Sequence, residues 1–162
     1  MSRNKFDSLS NLHPGKYDYQ IKVRVIRLWR GATLMGEEFK SFNILLLDAE
    51  KNRIHAFIPG LCAENLYSQI KLANVYSIKF FTVQPYKAAD IFRCVRNENQ
   101  LILSKDTKIQ DMEENTSQIP EDVFDLYDHS ELEALSEQKV YLADVVGIIK
   151  KHDKFRNVNT KT

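Results

Sequence analysis

The sequence predicts an all-β protein. It is read as a five-stranded barrel with one short helix between strands three and four, then an acidic linker and the first strand of a second, incomplete barrel. Three observations lead there. Residues 19–29, 39–48 and 53–59 alternate with the period of two that a strand imposes on its side chains. Pro59-Gly60 ends the third run, and Leu66 and Ile70, four apart, give the next stretch an apolar helical face. Residues 75–83 then return to a β-branched and aromatic composition.

In chain order, residues 1–18 are an N-terminal extension with little apolar periodicity, and His13-Pro14-Gly15 reads as a turn. The first strand turns Ile21, Val23 and Val25 inward and Lys22 and Arg24 outward. Its alternation slips over Ile26, Leu28 and Trp29, which predicts a bulge or twist. Residues 31–38 form a loop. The second strand has Phe42, Ile44 and Leu46 on one side, while Leu45 and Leu47 on the other imply that its second half is covered on both faces. Residues 48–52 are a polar connection of hairpin length. In the third strand Ile54, Ala56 and Ile58 point inward, and Arg53, His55 and Phe57 share the opposite face. A helix over 61–70 and a fourth strand over 75–83 follow. After a loop over 84–90 that contains Pro85, a fifth strand spans 91–96, and Leu101-Ile102-Leu103 extends it or returns along it. This is the order of elements in an oligonucleotide-binding (OB) barrel, which the reading places at 19–105. The rival SH3-like barrel lacks a helix at that point.

A net charge of +1 hides a segregation. Residues 1–105 hold 16 Lys and Arg against 9 Asp and Glu, residues 106–138 one Lys against 11 acids, and residues 139–162 six basic against two acidic residues. A basic body, an acidic strip and a basic tail suit a polyanionic partner better than the overall balance suggests. The acidic strip, sparse in apolar residues, reads as a solvated linker. Opposite charge within one chain also allows it to fold back and compete for a basic groove. Residues 140–150 read as the opening strand of the second barrel, which 139–162 leave incomplete.

Catalysis finds little support. Carboxylates are dense only in the linker, where no core fixes a pair at working separation. The two cysteines, Cys62 and Cys94, form no CxxC, the four histidines are dispersed, and no phosphate-cradling glycine loop is present. No enzyme activity and no metal or other cofactor is therefore expected. No apolar run approaches membrane-spanning length, and Met1-Ser2-Arg3-Asn4-Lys5 is not followed by the apolar stretch of a secretory signal. What the residues do offer is a cation, an imidazole and a ring in a row on one strand face. Such a face suits single-stranded nucleic acid, with phosphate on the cation and a base on the ring.

The run Ile21-Lys22-Val23-Arg24-Val25, the segment 42–48 and the run Arg53-Ile54-His55-Ala56-Phe57 together resemble the large subunit of replication protein A, and within it the first central OB domain. Asn74-Val75-Tyr76, Phe92, Thr107, Ile119-Pro120 and residues 140–148 continue the resemblance in order, the last matching the opening strand of the family's next OB domain. The resemblance implies single-stranded DNA binding with little sequence preference, in replication, repair and recombination, in the nucleus. It implies base stacking on Phe57 and Phe92, and basic contacts from Arg53, Lys40 and Lys87. Trp29 matches a tryptophan of the family's first loop, and Gln100 falls where the family carries an acidic contact. Arg24 and Lys22 lie at the groove edge in this topology. His55 is free to stack or to donate to phosphate, and Tyr86 is either a third platform or loop packing. The family's zinc-bearing, subunit-joining domain has no counterpart in these residues, which weighs against assembly with the other subunits. RNA in place of DNA stays open, as do two other readings: a protein-interaction OB module, and a truncated family member with little DNA affinity.

Overall fold

The computed structural model describes residues 6–33, 35–112 and 118–151. Its framework is one sheet. Strand β1 (Gln20–Trp29) pairs antiparallel with β2 (Phe42–Leu47) on one side and with β4 (Val75–Lys79) on the other. Strand β2 pairs with β3 (Arg53–Ile58), and β3 runs parallel to β6 (Asn99–Ile102), which pairs with β5 (Thr82–Pro85). Helix α1 (Gly60–Tyr67) links β3 to β4. Only Phe80-Phe81 separates β4 from β5, and this corner rolls the sheet into a barrel, the two halves serving as one bent fourth strand. Phe80 takes the corner in the left-handed region, at φ 59°, a conformation that costs a non-glycine residue about 1–2 kcal/mol. The Thr107 hydroxyl donates to its carbonyl at 2.9 Å. The result is a mainly β, OB-fold-like domain with a short helix between its third and fourth strands, as expected.

The inward parity of each strand builds the core: Ile21, Val23 and Val25, then Phe42, Ile44 and Leu46, then Ile54, Ala56 and Ile58. Ala63 and Leu66 of α1 and Leu9 and Leu12 from the N-terminal extension join it. Buried Asp48 fixes the turn between β2 and β3 by accepting from the amides of Glu50, Asn52 and Leu9. That turn therefore also docks the N-terminal extension. The β1 irregularity falls between Val25 and Arg27, where the slipped alternation predicts it.

A second, outer core lies on the opposite face of the same strands. Ile26, Leu45, Leu47, Val75 and Val95 meet Ile119 there, with Cys94, Met112 and Val123 against them. The chain beyond 118 thus crosses the outside of β1–β3, and the second half of β2 is covered on both faces, Ile44 and Leu46 on the inner one and Leu45 and Leu47 on the outer one, as the pattern implies.

Four expectations are corrected. Residues 91–96 are not a strand; β6 begins at Asn99, because the chain around Phe92 (φ 58°) bonds its backbone to residues 139–142 instead. The fourth strand bends at Phe80 and resumes as β5, which reaches Pro85. Residues 106–138 are not simply a linker: β7 (Lys108–Asp111) adds to the edge of β4, and α2 (His129–Leu135) starts from an Asp128–Glu131 capping box. Residues 140–150 contribute isolated bridges, Arg93 with Tyr141 and Leu126 with Asp144, rather than a strand. Residues 152–162 of that expected second barrel lie outside the described residues. No helix among the described residues is long and apolar enough to cross a membrane.

Candidate nucleic-acid interface

Strand register sets three rows of side chains across the outer face of the barrel. Arg24, Leu47 and Arg53 form one row, Arg27, Leu45 and His55 the next, and Trp29, Asn43 and Phe57 the third. Phe57 also sits opposite Ile102 of β6. The rows run from basic and apolar at one end to aromatic at the other.

The aromatic end is open. Phe57 is half-buried beside a groove lined by His55, Gln84, Tyr86, Lys87, Gln100 and Ile102. Trp29 is 37% exposed, with its ring centroid 5.9 Å from that of His55 and the planes 21° apart. His55 is fully engaged: Nδ1 lies 2.7 Å from the Tyr86 hydroxyl and Nε2 3.0 Å from Asn43 Oδ1. Burial lowers its pKa to about 4 and pushes that of Tyr86 up, so at neutral pH the phenol donates to Nδ1 and Nε2–H donates to Asn43. Donation from His55 to a phosphate is thereby corrected; His55 is a brace between Trp29 and Tyr86. The Tyr86 ring, side by side with the imidazole, belongs to the same brace.

Phe92 is 58% exposed on the loop between β5 and β6, so the exposure expected of it holds although the strand does not. That loop has its own scaffold. Arg93 lies against the Tyr86 ring at 4.7 Å and the Tyr141 ring at 5.5 Å, and donates to the carbonyls of Asp90 and Lys87. Lys87 is exposed, and its amide bonds Asp90 Oδ2 at 2.8 Å. Lys40 is exposed in the loop between β1 and β2; a Cβ on Gly60 would stand 3.0 Å from Lys40 Cβ, so glycine permits that close approach. Burial raises the Cys94 thiol to about 11, which favours its protonated form at neutral pH.

The basic end is covered. Arg24, expected on the surface, is 8% exposed and donates to the carbonyls of Ala73, Ile119 and Pro120. Its outward parity is as read, but the returning chain lies over it, so a DNA contact from Arg24 is corrected to a structural clamp. Arg53 keeps 12% of its side chain exposed and binds Asp144 Oδ2 at 2.9 Å and the Val123 carbonyl at 3.2 Å. Arg27 meets Asp122 at 2.8 Å, and Arg96 clasps both oxygens of Asp125 at 2.7 and 2.6 Å. The Arg96 guanidinium holds the Asp125 carboxyl below its ordinary pKa. Sequence reasoning missed Arg27, Asn43 and Arg96 as members of this face. Once the bulge is placed, the parity of β1 and β2 would have given the first two.

An OB-fold-like barrel with rings and arginines on one face of β1–β3 is the class of protein that the fold and site define. The chain belongs to the family described as "Domain of unknown function DUF223", whose model matches residues 10–129. It is 25% identical over 156 residues to a replication protein A 70 kDa DNA-binding subunit of Arabidopsis thaliana, covering 95% of this chain and 24% of the relative. To a second 70 kDa DNA-binding subunit of replication protein A from the same plant it is 29% identical over 148 residues, covering 90% of this chain and 18% of the relative. The chain is thus a homologue of these subunits over most of its own length and spans at most about a quarter of theirs. Among solved structures, a replication protein A heterotrimer bound to single-stranded DNA matches 80% of this chain and 29% of that one, with a TM-score of 0.58 and 22% identity. That likeness shows the fold.

Proposed function

We propose that this chain is a single-stranded DNA-binding module of low sequence preference. The observation that carries the reading is Phe57 on the outside of the barrel, where its ring and that of Tyr86 border an open groove with Lys87 instead of filling the core. Phe57 stacks on one base and Phe92 on a second, while Lys40 and Lys87 meet phosphates. Every base has a π-face, so stacking binds without reading sequence. The homology to subunits named for DNA binding favours DNA over RNA. By the same homology the module would serve replication, repair and recombination in the nucleus, alongside other replication protein A subunits.

The test is fluorescence anisotropy of a labelled oligo-dT with the chain and with Phe57→Ala/Phe92→Ala. Each ring is worth about 1–3 kcal/mol, so the double variant should bind at least tenfold more weakly. Undiminished binding by that variant, or none by the intact chain at high micromolar concentration, overturns the reading.

One observation favours a second reading. The covered half of this face holds an acidic peptide, the chain's own, so an acidic segment of another protein is the alternative ligand.

A further inference from the structure

Three carboxylates of the chain stand on three arginines of the face proposed to bind DNA. Asp122 meets Arg27, Asp125 meets Arg96 and stands 4.0 Å from Arg53, and Asp144 meets Arg53. A carboxylate offers a guanidinium two anionic oxygens, as a phosphate does, and both are bound as a fork. Arg53, His55 and Phe57 follow one another on one side of β3, so the anionic row begins roughly 13 Å from the Phe57 ring, at about 3.3 Å per residue. That distance is short enough for one strand of DNA to reach both.

The covering segment is held in two different ways. Ile119 and Val123 are anchored in the outer core, and Arg24 clamps the carbonyls of Ile119 and Pro120. Beyond them the hold combines the ion pairs of Arg27 and Arg96 at partly exposed side chains, which give way to salt, with the more buried Arg53–Asp144 pair and three backbone hydrogen bonds between residues 92–93 and 139–142. The outer part can leave while the anchor stays, provided that a strand of DNA replaces those pairs and the three backbone bonds open with them.

We propose that residues 122–144 are an intramolecular mimic of the DNA backbone. In the free protein Asp122, Asp125 and Asp144 occupy Arg27, Arg53 and Arg96, and a strand long enough to run past Phe57 displaces them. The proposal rests on the single-stranded DNA reading. A strand that fills only the aromatic end leaves the carboxylates in place. A longer one competes with them, so its affinity in the intact chain is held below what the arginines could give.

The test compares the full chain with Asp125→Asn/Asp144→Asn and with Glu121→Gln/Glu137→Gln. The second pair makes the same charge change at exposed acids that form no ion pair among the described residues. Each protein is titrated into dT oligomers of about 4 and about 16 nucleotides, the range one OB domain covers. For the longer oligomer the Asp double variant should bind roughly threefold to tenfold tighter. Its log–log salt slope should steepen by about 0.7 for each phosphate gained. The shorter oligomer should bind all three proteins alike. In the intact chain, adding the longer oligomer should speed hydrogen exchange at the amides of Phe92, Arg93 and Leu142, which bond across this segment. Equal tightening in the Glu control, or none in the Asp variant while Phe57→Ala still weakens binding, overturns the mimic and spares the DNA reading. Absence of binding by every protein overturns both.

Discussion

His55 shows how a polar residue on the face proposed to bind DNA can brace its neighbours with both ring nitrogens already engaged. Both ring nitrogens are spent on Tyr86 and Asn43, and burial holds its pKa near 4, below the 6.5 of an unfolded chain. Between these values the unfolded state takes up a proton that the folded state refuses. Stability is therefore fully present above about pH 6.5 and falls as the pH drops towards 4, by something on the order of 2–3 kcal/mol. Asp125, its pKa lowered by Arg96, loses its contribution only below the ordinary carboxylate range, so the two windows are separate. Melting temperatures from pH 7 to 4.5 should fall less in His55→Gln than in the parent; parallel curves would show that His55 is not the titrating group. DNA affinity should be flat from pH 8 to 6, since no cation appears at His55 there. The parity of Arg53, His55 and Phe57 was legible in six residues of sequence. The engagement of His55 was not, because Tyr86 and Asn43 reach it from two other strands' ends.

At the scale of elements, β1 to β3 were legible because alternation is a local property and every inward position is apolar. Two features escaped for non-local reasons. Residues 91–96 have strand-like composition, but their backbone partners lie at 139–142, some 45 positions on, and Phe92 adopts a left-handed backbone that no pattern announces. Arg24 points away from the core as its parity says, yet the outside of this barrel is not the outside of the protein. The clue lay in Leu45 and Leu47, whose pattern demanded a second cover. Arg24 is a buried tie between barrel and cover, and Arg24→Met would leave the carbonyls of Ala73, Ile119 and Pro120 without their donor. The expected loss is about 2–4 kcal/mol, from unmade hydrogen bonds to a buried charge. Urea denaturation with an unchanged m-value reads it. A change under about 0.5 kcal/mol, the scale of an ordinary surface substitution, would mean that the cover holds by its apolar contacts alone.

Over the whole molecule, the segregation of charge is what the net value of +1 conceals: the acids after residue 105 neutralise part of the basic body in space as well as in sum. With that half of the face occupied, the intact chain presents mainly its aromatic end and a few lysines, which on the proposed DNA reading is room for a few nucleotides. Modest affinity follows, because the entropy lost on association is set against few contacts. On that reading, tightness would have to come from linkage. Two copies joined by a flexible Gly/Ser linker make the second contact intramolecular, at an effective concentration on the order of millimolar. On an oligo-dT long enough for two grooves, the linked pair should bind about 100-fold tighter than the single chain, with a log–log salt slope about twice as steep. On an oligomer that fills one groove the gain should be no more than the twofold of having two sites. A large gain on the short strand would mean that the copies cooperate through protein contacts. No gain on the long one would mean that a single groove already covers it, and that the short site inferred from the open aromatic end is wrong.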